Sequence, residues 1–352
     1  MTIGLFSKLC VFTFLITVIS CSSKPQKSRK PVSQITIENK SVSGQDLVIG
    51  VDTKIKEGNL DKTRVFIDDK LVATKTELTF KQIIEKYPLV GKHTIKIIAT
   101  KTDGTAGINY KVFEVFSDIV PEKYGYRVVN SFPHNVKNFT EGLEIKDGFL
   151  YESTGENGAS GIYKMNLKTG QLLQSVELDS EYFGEGITIF NDKIFQLTYK
   201  HKKGFIYDLK SFKQTGTFAF ESEQGWGMTH DNQYLIMGDG THVLTYLDPS
   251  SLASVKKLQV YDHKGSIQYL NELEYINGFI YANIWTTDLI VKIEASTGKV
   301  LQTIDLKGLL GTYSDQGIEV LNGIAIDHSN GNMYVTGKYW PKIFQIELIK
   351  KE

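Results

Sequence analysis

The segment Tyr182-Phe183-Gly184-Glu185-Gly186 places one carboxylate between two glycines, directly after an aromatic pair and before the apolar positions Ile187 and Ile189. A carboxylate presented in this way can transfer protons. The flanking glycines let the backbone turn sharply and let another molecule approach closely. The competing reading is a turn acid that bonds the backbone of the next strand. Recurrence favours chemistry. Similar elements stand at Phe139-Thr140-Glu141-Gly142-Leu143, Gly225-Trp226-Gly227-Met228, Asn271-Glu272-Leu273-Glu274 and Leu321-Asn322-Gly323-Ile324.

These elements need a scaffold that brings them together. With Gly142, Gly186, Gly227, Leu273 and Gly323 as landmarks, the spacings are 44, 41, 46 and 50 residues. Between them lie short alternating runs and turns such as Lys168-Thr169-Gly170, Asp248-Pro249-Ser250 and Ala295-Ser296-Thr297-Gly298. Repeats of roughly 40–50 residues with about four strands each are the mark of propeller blades. The expected fold is therefore all-β, with a five-bladed β-propeller over residues 124–350. In such a ring the innermost strands line a central channel, and their starts converge on one mouth. Phe139, Glu141, Phe183, Glu185, Trp226, Asn271 and Glu272 are expected to meet there.

Residues 32–117 read as a separate small β-domain. Gln34–Glu38, Leu47–Val51, Arg64–Asp68, His93–Ala99 and Tyr110–Val115 alternate apolar and polar residues between Gly, Asn and Asp turns. The pattern suits an immunoglobulin-like β-sandwich that lacks the usual Cys pair and Trp. Residues 117–124, with Pro121, form the expected boundary.

Composition narrows the function. The 352 residues carry 40 basic and 40 acidic side chains, and formal net charge is +0. Nucleic acid is not expected as the main partner, because phosphate binding needs clustered excess Lys and Arg. The two cysteines, Cys10 and Cys21, are both near the N-terminus, so no disulfide framework, zinc site or thiol nucleophile can be built in the body of the chain. Residues 1–21 read as a signal segment: Lys8, then the short apolar run Val11–Ile19. Val18-Ile19-Ser20-Cys21 resembles a bacterial lipoprotein signal, in which Cys21 is lipidated. Residues 22–31 would be the polar tether. The alternative is an ordinary cleaved signal peptide. Lipidation implies a membrane-anchored protein of the bacterial cell envelope, expected as a monomer.

The ordered set of Phe139–Leu143, Glu152-Ser153-Thr154-Gly155, Phe183–Gly186, Gln196-Leu197-Thr198-Tyr199, Gly225-Trp226-Gly227, Gly238-Asp239-Gly240-Thr241, Asn271–Glu274, Ala282-Asn283-Ile284-Trp285, Leu321–Ala325 and Gly337–Lys342 resembles the glutaminyl-peptide cyclotransferases of the plant and bacterial type. The resemblance spans nearly all of residues 126–348 and leaves out the N-terminal β-domain. It implies a five-bladed propeller that cyclises the N-terminal glutamine of peptides or proteins to pyroglutamate and releases ammonia. By the same resemblance, Glu185 is the proton-transfer acid. Asn271 and Lys338 act on the reacting amide and its oxyanion, and Trp226 adds an indole N–H. Phe139, Glu141, Phe183, Tyr199 and Trp285 form the substrate pocket. No cofactor or metal is implied. Two positions depart from the family pattern: Tyr199 replaces the usual Trp, and Glu141 replaces the usual Gln. Glu141 adds a charge that could favour the substrate amine or raise the proton affinity of Glu185.

Two other readings compete. One is a non-catalytic, lipid-anchored propeller that binds peptides or surface polymers, since fold alone does not fix function. The other is a propeller hydrolase with a channel metal, although His134, His230, His242 and His263 are scattered and fit no ligand spacing.

Overall fold

A computed structural model describes Met1, residues 28–311 and residues 317–352. Cys10, Cys21, the expected signal segment and most of the tether lie outside the described residues. Among the described residues the chain is organised in β-strands.

The first seven strands are β1 (Val32–Ile37), β2 (Leu47–Lys54), β3 (Leu60–Ile67), β4 (Lys70–Lys75), β5 (Thr79–Ile84), β6 (Gly91–Lys101) and β7 (Ala106–Val115). They form two sheets, ordered β1-β2-β5 and β4-β3-β6-β7. β2 and β6 bury every second residue, as half-buried strands must. Ile35, Ile49, Val65, Ile95, Ile97 and Phe113 fill the space between the sheets. Asp68 and Asp69 take φ of 46° and 64°, the left-handed pair that a tight hairpin requires. β4 and β5 were not expected; they sit at sheet edges with weak burial contrast, so their sequences alternate poorly.

The rest of the chain comprises β8 (Glu122–Pro133), β9 (Thr140–Lys146), β10 (Phe149–Thr154), β11 (Gly161–Asn166), β12 (Leu172–Glu177), β13 (Gly184–Phe190), β14 (Lys193–Thr198), β15 (Lys203–Asp208), β16 (Gln214–Ala219), β17 (Met228–His230), β18 (Leu235–Met237), β19 (Val243–Leu247), β20 (Ser254–Gln259), β21 (Leu270–Ile276), β22 (Phe279–Ile284), β23 (Leu289–Glu294), β24 (Val300–Asp305), β25 (Leu321–Asp327), β26 (Asn332–Gly337) and β27 (Lys342–Lys350). Four runs of four consecutive strands, β9–β12, β13–β16, β17–β20 and β21–β24, each pair in order. The fifth set is β25, β26, β27 and β8. β8 begins at Glu122, inside the expected boundary of residues 117–124 and two residues before the expected start of the repeats at 124. It lies antiparallel to β27, with Phe132 opposite Ile343, and also meets β24 in parallel. The chain thus closes on itself: a strand from before the first repeat completes the last sheet, which protects edges that apolar strands would otherwise expose.

The first strands of the five sets touch in a cycle: β9 with β13, β13 with β17, β17 with β21, β21 with β25, and β25 with β9. Three buried glutamates tie this ring together. Glu144 accepts the Ile189 N–H, Glu272 accepts those of Leu143 and Ile324, and Glu274 accepts that of Ile326. The two parts of the chain also touch. Tyr261 donates its hydroxyl to Glu114, Gln259 exchanges hydrogen bonds with the Lys92 backbone, and Lys299 pairs with Asp118.

Candidate active site

Four of the five first strands carry an irregularity at the same place. In β9 the pairing with β10 shifts between Gly142 and Thr140, leaving Glu141 extra. In β13 it shifts between Gly184 and Ile187, in β21 between Leu270 and Leu273, and in β25 between Leu321 and Ile324. A one-residue bulge re-aims the side chains it contains. The residues held in these bulges include Glu141, Glu185, Asn271 and Asn322. The repeated sequence elements are therefore bulges at strand starts.

This changes the reading of the glycines beside Glu185. Neither Gly184 nor Gly186 adopts the left-handed backbone of a sharp turn. Gly186 is required by close packing instead: a Cβ there would lie 2.4 Å from Met228 N and 2.6 Å from Trp226 O. Its own N–H donates to Trp226 O at 2.9 Å, which fixes one sheet against the next.

A second tier comes from residues just beyond the ends of the second strands. Gly155 N donates to Phe139 O, Tyr199 N to Phe183 O, Trp285 N to Tyr269 O and Lys338 N to Val320 O. Each bond latches one sheet's second strand to the residue two positions before its bulge. Gly155 must lack a side chain because a Cβ would meet the Phe183 ring at 2.4 Å and the Phe139 ring at 3.0 Å.

The two tiers surround a cleft of about 330 Å³. Phe139, Glu141, Phe183, Glu185, Tyr199, Trp226, Asn271, Trp285 and Lys338 all line it, so of the site residues expected from the sequence within the ring only Glu272 is missing there. A larger hollow of about 800 Å³ lies between β16 and β18–β20. It contains none of these side chains, so the chemistry identifies the smaller cleft as the site.

Within the cleft, Glu185 is 5% exposed, and no hydrogen bond among the described residues ends on its carboxyl oxygens. Burial raises its proton affinity well above the usual carboxylate range; the Glu141 charge adds to this, and Lys338 opposes it. Lys338 is 5% exposed, so it is no solvated surface lysine. Its Nζ lies 2.7 Å from Glu141 Oε1 and 4.2 Å from the centre of the Phe139 ring. Glu141 also accepts the Asn322 Nδ2–H at 3.0 Å. Burial lifts the Glu141 carboxyl to about 7 despite Lys338. Asn271 is 3% exposed, and its Oδ1 has no partner among the described residues. An orphaned buried amide is costly unless a ligand completes it.

The aromatic lining falls into two packed groups. Phe139 packs edge-on against Phe183 at 5.9 Å, Phe183 against Tyr199 at 5.7 Å, and Trp226 edge-on against Trp285 at 5.6 Å. Tyr269 extends the wall, 6.2 Å from Trp285. Tyr269, Thr286 and Tyr339 hold φ near +60°, a strained backbone for side chains of their size, and Tyr269 and Thr286 line the cleft.

Two expectations need correction. Glu272 does not reach the cleft: its carboxyl turns into the ring, where it bonds two backbone N–H groups, because successive residues in a strand face opposite ways. The Trp226 indole N–H donates to Gln224 Oε1 at 2.8 Å, so Trp226 here is wall rather than free donor. Sequence reasoning also missed Tyr269, Thr286, Glu319 and Val320 in the lining. A signal existed for two of them: Tyr269 and Val320 stand two residues before Asn271 and Asn322, as Phe139 and Phe183 stand before Glu141 and Glu185. Among the described residues no three His, Cys, Asp or Glu side chains group as metal ligands.

Residues 104–348 match the glutamine cyclotransferase family. Over 226 residues the chain is 39% identical to the glutaminyl-peptide cyclotransferase of Arabidopsis thaliana, covering 63% of this chain and 70% of that protein. The crystal structure of Myxococcus xanthus glutaminyl cyclase aligns at 30% identity with a TM-score of 0.62, covering 66% of this chain and 100% of that one. With the family match running through all five sets of strands, the chain belongs to the glutamine cyclotransferase family.

Proposed function

We infer that the protein is a glutaminyl-peptide cyclotransferase, which converts the N-terminal glutamine of a peptide or protein to pyroglutamate with release of ammonia. The observation that carries this reading is Glu185: a buried carboxyl without partners among the described residues, in an aromatic cleft with Lys338 and Asn271, in a chain of this family. The α-amine attacks the side-chain amide carbon, forming the ring C–N bond. Glu185 takes a proton from that nitrogen and hands one to the departing amide nitrogen, so that ammonia leaves and the carbonyl re-forms. Its raised proton affinity suits both halves, since the base must be strong enough to accept the proton and ready to return it. Lys338 faces the oxygen that gains charge, and Asn271 completes its own orphaned amide on the substrate. Phe139, Phe183, Tyr199, Trp226 and Trp285 exclude water, and their ring faces suit a substrate amine. Glu141 acts through Lys338, whose charge it already matches.

The surrounding architecture reads as a five-bladed β-propeller over residues 122–350, preceded by an immunoglobulin-like sandwich over residues 32–117. The closed cycle of first strands and the two facing N-terminal sheets support this assignment. The Cys21 motif supports a lipid tether in a bacterial envelope. The test of the activity is ammonia release from a glutamine dipeptide by wild type and by Glu185→Gln. The substitution is expected to lower kcat by about 100-fold or more. Normal turnover in the variant would remove Glu185 from its role. A wild type inactive across pH and peptides would remove the function.

A further inference from the structure

His134 lies in the connection between β8 and β9, fully buried at its side chain, as is Glu152 on β10. Its Nδ1 is 2.6 Å from Trp340 O, and its Nε2 is 3.0 Å from Glu152 Oε1. Neither neighbour has a proton to offer. The carbonyl is an acceptor only, and Glu152 already receives Asn138 Nδ2–H at 2.6 Å and Thr140 Oγ1–H at 2.7 Å. The Thr336 hydroxyl, 3.5 Å from Nδ1, donates to Lys342 O instead. A neutral imidazole would turn one bare nitrogen toward an acceptor in a site without solvent access, at the cost of an unpaired buried polar group. The geometry is satisfied only when both ring nitrogens carry hydrogen. Burial acts against that charge, but the Glu152 charge, its hydrogen bond and the Trp340 carbonyl outweigh burial and raise the imidazole's proton affinity.

The bonded partners belong to two segments that bear cleft residues. Trp340 closes the turn that carries Lys338; Asn138 and Thr140 flank Phe139 and lead into Glu141. Further backbone bonds cross between the same segments, from Tyr339 N to Asn138 O and from His134 N to Pro341 O. We propose that His134 and Glu152 form a buried imidazolium–carboxylate brace that positions Lys338 and Glu141 for the reaction, with neither brace residue touching the substrate. Lys338 and Glu141 are 197 residues apart in the chain, and the brace spans the same gap from behind. This inference rests on the cyclotransferase reading.

The test uses the full chain. Ammonia release from a glutamine dipeptide is followed for wild type, His134→Gln, Glu152→Gln, Lys338→Gln and the double variant His134→Gln/Lys338→Gln. Misplacing catalytic groups by about 1 Å costs on the order of 100-fold, so each brace variant should lose roughly 10- to 100-fold in kcat, with KM moving less than about threefold. In the Lys338→Gln background the His134 change should cost less than about twofold more, because the positioned group is already gone. An unchanged kcat in His134→Gln, or losses that multiply in the double variant, would overturn the brace. Should the variants fail to fold, ¹⁵N resonances of wild-type His134 at neutral pH decide the matter: two protonated nitrogens are expected, and one bare nitrogen overturns the proposal. A wild type that releases no ammonia defeats the functional reading instead, while the resonance measurement still judges the pair.

Discussion

Replacing Glu141 with glutamine removes one of the two buried cleft carboxyls while nearly preserving its shape. Glu141 is 2% exposed, accepts Lys338 Nζ at 2.7 Å and accepts Asn322 Nδ2 at 3.0 Å. Glutamine keeps an acceptor for one of these donors but loses the charge. Burial first, and Glu141 second, raise Glu185, and Lys338 pulls it down. The substitution deletes the second contribution and leaves Lys338 uncancelled, so both changes lower the Glu185 pKa. A unit charge some 6–10 Å away in a medium of effective dielectric about 20 is worth roughly 1.7–2.8 kcal/mol, or about 1–2 pKa units. Since Glu185 must start ionised to accept the amine proton, the low-pH limb of the kcat/KM profile should move about 1–2 units toward acid. The substrate amine titrates identically for both enzymes, so the difference between the profiles belongs to the protein. Removing one member of a buried ion pair also costs stability. Glutamine still accepts a hydrogen bond, so the loss should be about 1–3 kcal/mol rather than the 3–5 kcal/mol, roughly, of an uncompensated buried charge. The assay is ammonia release from a glutamine dipeptide across pH, with a melting curve to establish the fold. An unmoved limb would mean that the two carboxyls do not sense each other. A limb displaced toward alkaline pH would refute the sign of the coupling.

Trp285, 38% exposed, forms one end of the aromatic wall against Trp226 and Tyr269. Trp285→Ala should raise KM for a glutamine dipeptide by about tenfold, equivalent to about 1.4 kcal/mol of lost contact, with a smaller change in kcat; a loss confined to kcat would contradict its role as wall. Inside the ring, burial and then the Glu274 charge push the Glu144 carboxyl up from 4.5 to about 8. The folded chain therefore holds a proton that the unfolded chain releases, and stability falls as pH rises between these values, by at most about 1.4 kcal/mol per unit for this group. Glu144→Gln keeps an acceptor for the Ile189 N–H and should flatten the decline in melting temperature from about pH 5 to pH 9; a steeper decline in the variant would reverse the sign.

The legible parts of this protein are those that local chemistry repeats. Glycine and apolar positions recur at intervals of 41–50 residues, and this recurrence marked the strand starts that became the five-membered ring. The unread parts depend on partners far away in the chain. β8 pairs with a strand more than two hundred residues later, so nothing nearby distinguishes it from a linker. Glu272 was placed one step wrong because adjacent residues in a strand share a neighbourhood in sequence but face opposite ways in space. The Trp226 N–H had an acceptor only two residues away in Gln224, yet their geometry decides whether the bond forms.

Electrostatics follows the same division. The sequence reveals that a second carboxyl, Glu141, stands where the resembled family usually has an amide. It does not reveal that Lys338 arrives from the far end of the chain to meet it. With that lysine in place the buried part of the cleft holds two carboxyls and one ammonium, so their complete ionisation leaves one negative charge in a medium that disfavours it. The least costly arrangement keeps the Lys338–Glu141 pair and leaves Glu185 as the carboxyl most ready to take a proton. The proposed proton transfer by Glu185 then rests less on its flanking glycines, which serve packing, than on its lack of a partner among the described residues, where Glu141 has two.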